Sequence, residues 1–146
     1  MSNQVIIDIA ERARRASRVL AGLSSVKKAE ILHAMAAGLR GRKDFLQKEN
    51  ARDLDQAHET GLSSAMIDRL TLSDKVIMGM ADALEEIASQ ADPVGKITGM
   101  TRRPNGLMVG RMHIPLGVVA IIYDSRPNVT ADAAGLCLKS GNAVIL

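Results

Sequence analysis

Val118-Val119-Ala120-Ile121-Ile122-Tyr123-Asp124-Ser125-Arg126-Pro127-Asn128-Val129, continuing to Lys139-Ser140-Gly141-Asn142-Ala143-Val144-Ile145-Leu146, is the stretch on which the fold turns. The unbroken apolar run Val118–Tyr123 reads as a strand buried on both faces. Asp124 to Asn128 form a polar loop containing Pro127. Val129 to Lys139 reads as a short helix that Asn128 or Thr130 could cap, and Ser140-Gly141-Asn142 ends it. Ala143–Leu146 then begins a second apolar strand. Strand, loop, helix, strand spells one βαβ unit, hence a parallel sheet with helices on its faces. The fold class is therefore α/β. A parallel sheet needs more than two strands, and the second strand here breaks off after four residues. The expectation is that the chain is the front part of a longer protein.

Upstream, Lys96–Arg103 and Leu107–His113 flank Pro104-Asn105-Gly106, a turn signal that predicts a β-hairpin. Before Pro93 the period is helical. Ile6, Ile9, Ala10, Ala13, Ala16 and Leu20 follow the i, i+3, i+4, i+7 pattern up to Gly22. Ser24 or Ser25 can cap a second helix carrying Leu32, Met35, Ala36 and Leu39, which ends near Gly41. A charged third helix runs from Lys43 to His58 with a thin apolar face, and Gly61 stops it. Ser73 caps the strongest helix, whose buried face is Ile77, Met80, Ala81, Leu84, Ile87 and Ala88.

Composition narrows the function classes. The chain has 146 residues, 47% hydrophobic and 24% charged, the balance of a folded domain. One Phe, one Tyr and no Trp argue against stacking platforms for unpaired bases. A single cysteine excludes a disulfide framework within this stretch. No apolar run reaches the ~18 residues of a membrane span, and Asp8, Glu11 and the arginines after Val5 rule out a secretory signal at the start. Of the net charge of +3, residues 93–146 carry six Lys/Arg against two Asp/Glu. That surplus reads either as solvated surface or as a site for an anionic ligand.

Candidate chemistry is sparse. Cys137 lies in an apolar helical stretch without a histidine nearby and reads as core. His33, His58 and His113 lack metal-ligand spacing, so no metal site is expected. Lys139-Ser140 is not a P-loop, because Leu138 stands where glycine is required and the order is helix then strand. No G-x-G-x-x-G follows Tyr123. There remains the loop Asp124–Asn128, at the carboxyl end of a parallel strand, where open α/β sheets bind ligands. Ser125, Arg126 and Asn128 offer a hydroxyl, a guanidinium and an amide to carboxylate or phosphoryl oxygens. Equally, Ser125 and Asn128 could cap the helix and leave Arg126 in solvent.

The run Pro115–Thr130 with its Tyr-acidic-Ser-Arg-Pro-Asn-Val core, continuing to Lys139–Leu146, resembles the gamma-glutamyl phosphate reductase (glutamate-5-semialdehyde dehydrogenase) family of the aldehyde dehydrogenase superfamily. Asn50-Ala51-Arg52-Asp53-Leu54, Asp68-Arg69-Leu70 and Arg102-Arg103-Pro104-Asn105-Gly106-Leu107 look like the same family, so the resemblance covers essentially the whole chain. It implies an aldehyde dehydrogenase-like fold. Residues 1–92 would be the N-terminal helical region and 93–115 a β-hairpin serving oligomer contacts. Residues 116–146 would open a Rossmann-type NADPH-binding domain, truncated here. Such enzymes convert L-glutamyl 5-phosphate to L-glutamate 5-semialdehyde and phosphate with NADPH, in proline biosynthesis. In the related mechanism a cysteine thiolate displaces phosphate and hydride releases the aldehyde.

The catalytic cysteine of the family lies beyond Leu146, and Cys137 does not match it, so the chain alone is expected to be inactive and to hold no catalytic residue. Its cofactor-binding residues are unassigned. In the superfamily the loop after this strand carries an asparagine that donates to the oxyanion. Ser125 falls nearest that position, with Asn128 three residues later, and Arg126 could meet a carboxylate or phosphate through paired N–H donors. The resemblance further implies a cytoplasmic homo-oligomer, association with glutamate 5-kinase, and neither nucleic acid nor membrane as a partner. The competing reading is a short non-catalytic helical module for interaction or oligomerisation, its hairpin pairing by edge addition.

Overall fold

Serine hydroxyls start two of the helices, as their positions before apolar periodic runs require. In the computed structural model, which describes residues 3–124 and 126–146, Ser24 Oγ accepts from the Lys27 amide at 3.2 Å and begins α2 (Ser25–Gly41). Ser73 Oγ accepts from the Val76 amide at 3.3 Å and begins α5 (Asp74–Ser89). Around them lie α1 (Asn3–Leu20), α3 (Lys43–Glu59) and α4 (Ser64–Leu70). Then follow β1 (Ile97–Arg102), β2 (Met108–Met112), β3 (Val118–Ala120), α6 (Pro127–Lys139) and β4 (Ala143–Ile145).

The core is helical. Leu32 and Ala36 of α2, Ala81, Leu84, Ile87 and Ala88 of α5, and Leu138 of α6 form one buried cluster. Fully burying a leucine such as Leu32 contributes roughly 2 kcal/mol. All six residues expected on the inner face of α5 are buried. Where α6 crosses α5, a Cβ added to Gly135 would lie 2.6 Å from Leu84 Cδ2 and 3.2 Å from Ile87 Cδ1. Only glycine permits that approach.

Two buried lysines tie the helices together. Lys28, fully buried, donates to both carboxylate oxygens of Asp92 at 3.1 and 2.9 Å. Burial would raise the Asp92 carboxyl, but hydrogen bonds from Lys28 and from the Val94 amide hold it below the ordinary carboxylate range. Lys139, also buried, donates to the Ala88 carbonyl at 2.8 Å. That carbonyl belongs to the last turn of α5, where the helix leaves acceptors open and favours a cation.

The predicted hairpin is present: β1 pairs antiparallel with β2, with an irregularity between Thr98 and Thr101. Its turn closes through Arg103 N–H to Leu107 O at 2.8 Å and Gly106 N–H to Arg103 O at 2.9 Å. Every residue of both strands is exposed, Ile97, Met100, Met108, Val109 and Met112 among them.

β3 and β4 are parallel, in register Val118 with Ala143, Val119 with Val144 and Ala120 with Ile145. Buried Asn142 joins the two approaches. Its Oδ1 accepts from the Gly117 amide at 2.8 Å and its Nδ2 donates to Ser140 Oγ at 3.0 Å. The turn before β4 places Gly141 at φ +74°, with Asn142 N–H on Cys137 O and Gly141 N–H on Leu138 O. This paired closure satisfies the last carbonyls of α6 and needs a left-handed residue.

Four expectations require correction. The strand expected over Val118–Tyr123 spans only Val118–Ala120, extended by one bond from Ile121 N–H to Ile145 O. It cannot pair further because β4 itself stops at Ile145. Nor is it buried on both faces: Val118 is exposed and Ile122 wholly so. The helix expected from Val129 begins at Pro127, whose fixed φ suits the first helical position, so neither Asn128 nor Thr130 is its cap. Finally, α4 has no counterpart in the sequence reading. In α1 the apolar stripe is only partly covered, and Ile6 and Ile9 remain exposed beside the contact with β4.

Candidate functional site

Arg126 occupies the cap position of α6, with extended backbone, and its side chain does not cap the helix. Its Nε donates to both carboxylate oxygens of Asp124, at 2.9 and 3.1 Å, and its amide donates to the Asp124 carbonyl at 2.8 Å. Asp124 is thereby held below the usual carboxylate range by the hydrogen bonds from Arg126, and the Arg126 guanidinium is raised in turn. Because Asp124 takes the Nε edge, the two terminal amino groups of Arg126 have no partner among the described residues. Arg126 is at once half-exposed to solvent and paired along one edge with Asp124. Tyr123 adds a second brace: its hydroxyl lies 2.6 Å from Thr130 Oγ1 and ties the loop to the first turns of α6. Ser125, the third residue expected here, lies outside the described residues.

Arg126 and Asn128 open onto a groove of ≈ 550 Å³ between α4, α5 and α6. Asp68 and Arg69 of α4, Lys75 of α5 and Asp132 of α6 line it as well. Asn128 and Asp132 stand four residues apart and so share a face of α6. Arg69 approaches the loop from the opposite wall, with its terminal nitrogen 3.8 Å from Asp124 Oδ2. One carboxylate thus faces two guanidinium groups. Burial pushes the Asp132 carboxyl upward.

The position of Arg69 follows from a buried amide. Asn50 of α3 donates through Nδ2 to Leu70 O at 2.9 Å and accepts at Oδ1 from Leu72 N–H at 2.8 Å. Both backbone groups belong to the link that leaves α4, so Asn50 fixes the end of the short helix carrying Arg69. Gln47, one turn earlier on α3, donates to Asp74 at 2.7 Å and holds the start of α5 beside it. Sequence reasoning singled out Asn50-Ala51-Arg52-Asp53 and Asp68-Arg69-Leu70 only as family-like stretches. The structure brings the two together and sets them against the Asp124 loop.

The remaining candidates are structural. Cys137 is buried and its thiol is pushed up by burial, the opposite of an activated nucleophile. Lys139 is spent on the Ala88 carbonyl. No group of three or more histidine, cysteine or carboxylate side chains among the described residues could hold a metal ion. The β3–α6 connection contains no glycine, and the Arg126 amide is already committed to Asp124. Among the described residues, this connection therefore does not offer the glycine-rich backbone cradle that holds a dinucleotide pyrophosphate. No helix among the described residues is long and apolar enough to cross a membrane.

Comparison with known proteins gives one consistent match. The chain is 57% identical over 144 residues to gamma-glutamyl phosphate reductase of Desulfatibacillum aliphaticivorans, covering 99% of this chain and 34% of that protein. Against the enzyme of the same name from Magnetococcus marinus it is 53% identical over 149 residues, with 100% and 35% covered. Among solved structures, gamma-glutamyl phosphate reductase of Thermotoga maritima superimposes with a TM-score of 0.90 at 36% identity, over 94% of this chain and 33% of that one. The Saccharomyces cerevisiae protein of that name gives 0.89 at 34% identity, over 95% and 35%. No family model matches the chain. The chain is thus similar along its whole length to gamma-glutamyl phosphate reductases, and spans about a third of the length of the relatives it matches.

Proposed function

We propose that the chain serves as the N-terminal third of a gamma-glutamyl phosphate reductase, and that its part in the reaction is to bind substrate rather than to transform it. The observation that supports this most strongly is the 57% identity across 99% of the chain, in a protein three times as long. The reaction so assigned converts L-glutamyl 5-phosphate and a reduced nicotinamide cofactor, NADPH, to L-glutamate 5-semialdehyde and phosphate. The cofactor supplies the hydride when bound. The residues that hold it, and the nucleophile, belong to the rest of the protein, since Cys137 is buried. In this reading residues 1–92 form a helical region and 93–115 a hairpin extension for contacts between copies. Residues 116–146 are the opening of a Rossmann-type cofactor domain, and Ser125, Arg126 and Asn128 of its first loop are its substrate contacts. The working location is the cytoplasm, and glutamate 5-kinase, which makes the acyl phosphate, is the natural neighbour.

The braced Arg126 suits this role. Its free amino edge can form two parallel hydrogen bonds to an anionic oxygen pair, while Asp124 keeps the group from swinging away. The partly exposed parallel pair β3–β4 also fits an incomplete sheet, because such sheets are normally covered on both faces.

The test is a chimera in which this chain replaces the matching third of the Desulfatibacillum aliphaticivorans reductase. The chimera should oxidise L-glutamate 5-semialdehyde with NADP⁺ in a phosphate-dependent manner, whereas the 146-residue chain alone should show no turnover. Turnover by the chain alone, or a folded chimera without activity, would defeat the proposal.

A further inference from the structure

We infer that the groove between α4, α5 and α6 receives the α-amino-acid head of the substrate, and that Arg69 is a second guanidinium for its carboxylate. This rests on the proposed reductase function and names the part of the substrate that this site takes.

The first support is the pairing itself. Asp124 sits between Arg126, bonded at 2.9 Å, and Arg69, at 3.8 Å. Two guanidinium groups repel one another unless an anion lies between them. Asp124 supplies that anion on one side, at the Nε edge of Arg126. Both arginines also line the one groove.

The second support is the sign of the lining. Asp68 and Asp132 share the groove with Arg69, Lys75 and Arg126. A phosphoryl group would meet the two carboxylates as like charges. A zwitterionic head, carboxylate and ammonium on one carbon, meets both signs favourably. Asp132 is the acceptor best placed for the ammonium. It shares its helix face with Asn128, is only partly exposed, and has no hydrogen-bond or ion-pair partner among the described residues. Its carboxyl is raised by burial, as expected of an acid that no cation yet compensates.

The third support is rigidity. Asn50, buried on α3, clamps the backbone on both sides of Thr71. A surface arginine on a seven-residue helix would otherwise lose much of its binding energy in being ordered. The clamp removes part of that cost in advance.

The experiment uses the active reductase that carries this chain, assayed in the direction of aldehyde oxidation. There the Michaelis constants for aldehyde, phosphate and NADP⁺ are measured separately. Arg69→Gln should raise KM for L-glutamate 5-semialdehyde by ~10-fold, the worth of one charge-assisted hydrogen bond. KM for phosphate and for NADP⁺ should stay within about twofold, and Arg69→Lys should recover part of the loss. Asp132→Asn should cut the preference for the semialdehyde over 5-oxopentanoate, which lacks the α-ammonium, by ~10-fold. An Arg69→Gln enzyme with an unchanged aldehyde KM would overturn the inference, as would a rise confined to phosphate. If the unsubstituted protein is itself inactive, the reductase proposal fails instead, so the two failures are distinct.

Discussion

At the residue scale the buried ion pair is the clearest case of chemistry set by packing. Lys28 is sealed in the helical core and Asp92 is its only carboxylate partner among the described residues, so removing the acid leaves a buried cation uncompensated. Asp92→Asn should therefore lower unfolding free energy by about 3 kcal/mol at neutral pH, read by urea denaturation. The pH dependence has a definite sign. The folded carboxyl lies below its unfolded value of about 4, so its stabilisation is full above that value and fades as pH falls through the folded one. The unsubstituted chain should lose stability more steeply than Asp92→Asn does as pH falls below about 4. Identical slopes would refute the assignment. Neither partner was legible beforehand, because Lys28 sits among charged neighbours on α2 and Asp92 in a turn before proline. Only the packing of α2 against the end of α5 shows which of many charges is buried. Arg69 was not legible as a site residue for a similar reason: it is distant in sequence from the Asp124–Arg126 loop, and only the fold sets the two side by side.

Elements were readable in proportion to how much of their own pattern decides them. α5 is amphipathic over four turns behind a capping serine, so its start and all six buried positions follow from the sequence. α4 has seven residues and none of them is buried, so no periodic apolar signal exists to find. β3 was expected too long because six apolar residues in a row look like six paired residues, whereas strand length is set by the partner. The α6–α5 crossing allows a sharp check. Gly135→Ala gains helix propensity of up to ~1 kcal/mol, but places a methyl group 2.6 Å from Leu84 Cδ2. Overpacking of this kind costs ~1–3 kcal/mol, so the net effect should be destabilising in thermal denaturation. Pairing it with Leu84→Ala, which vacates the space, should reverse the sign of the alanine's effect. Gain of stability in the single variant would show that the helices do not meet as described.

Across the whole molecule, covering among the described residues is uneven: a well-packed helical core, a half-covered parallel pair, and a hairpin whose apolar side chains are open to solvent. The α/β class was legible from the last thirty residues, while the degree of exposure was not, since burial depends on what surrounds a strand. The hairpin turns this imbalance into a measurement. Met100, Met108 and Met112 all stand exposed on it, and Met66 on α4 is exposed too. A thioether open to solvent is readily converted to the sulfoxide. Brief peroxide treatment followed by peptide mass analysis should label all four in the isolated chain. In an assembled reductase whose copies meet through the hairpin, the three hairpin methionines should be labelled at least ~10 times more slowly, while any that stay outside the contact keep their rate. The strand pair thus carries its own chemical footprint, one that reports at single-residue resolution which of its surfaces a contact closes.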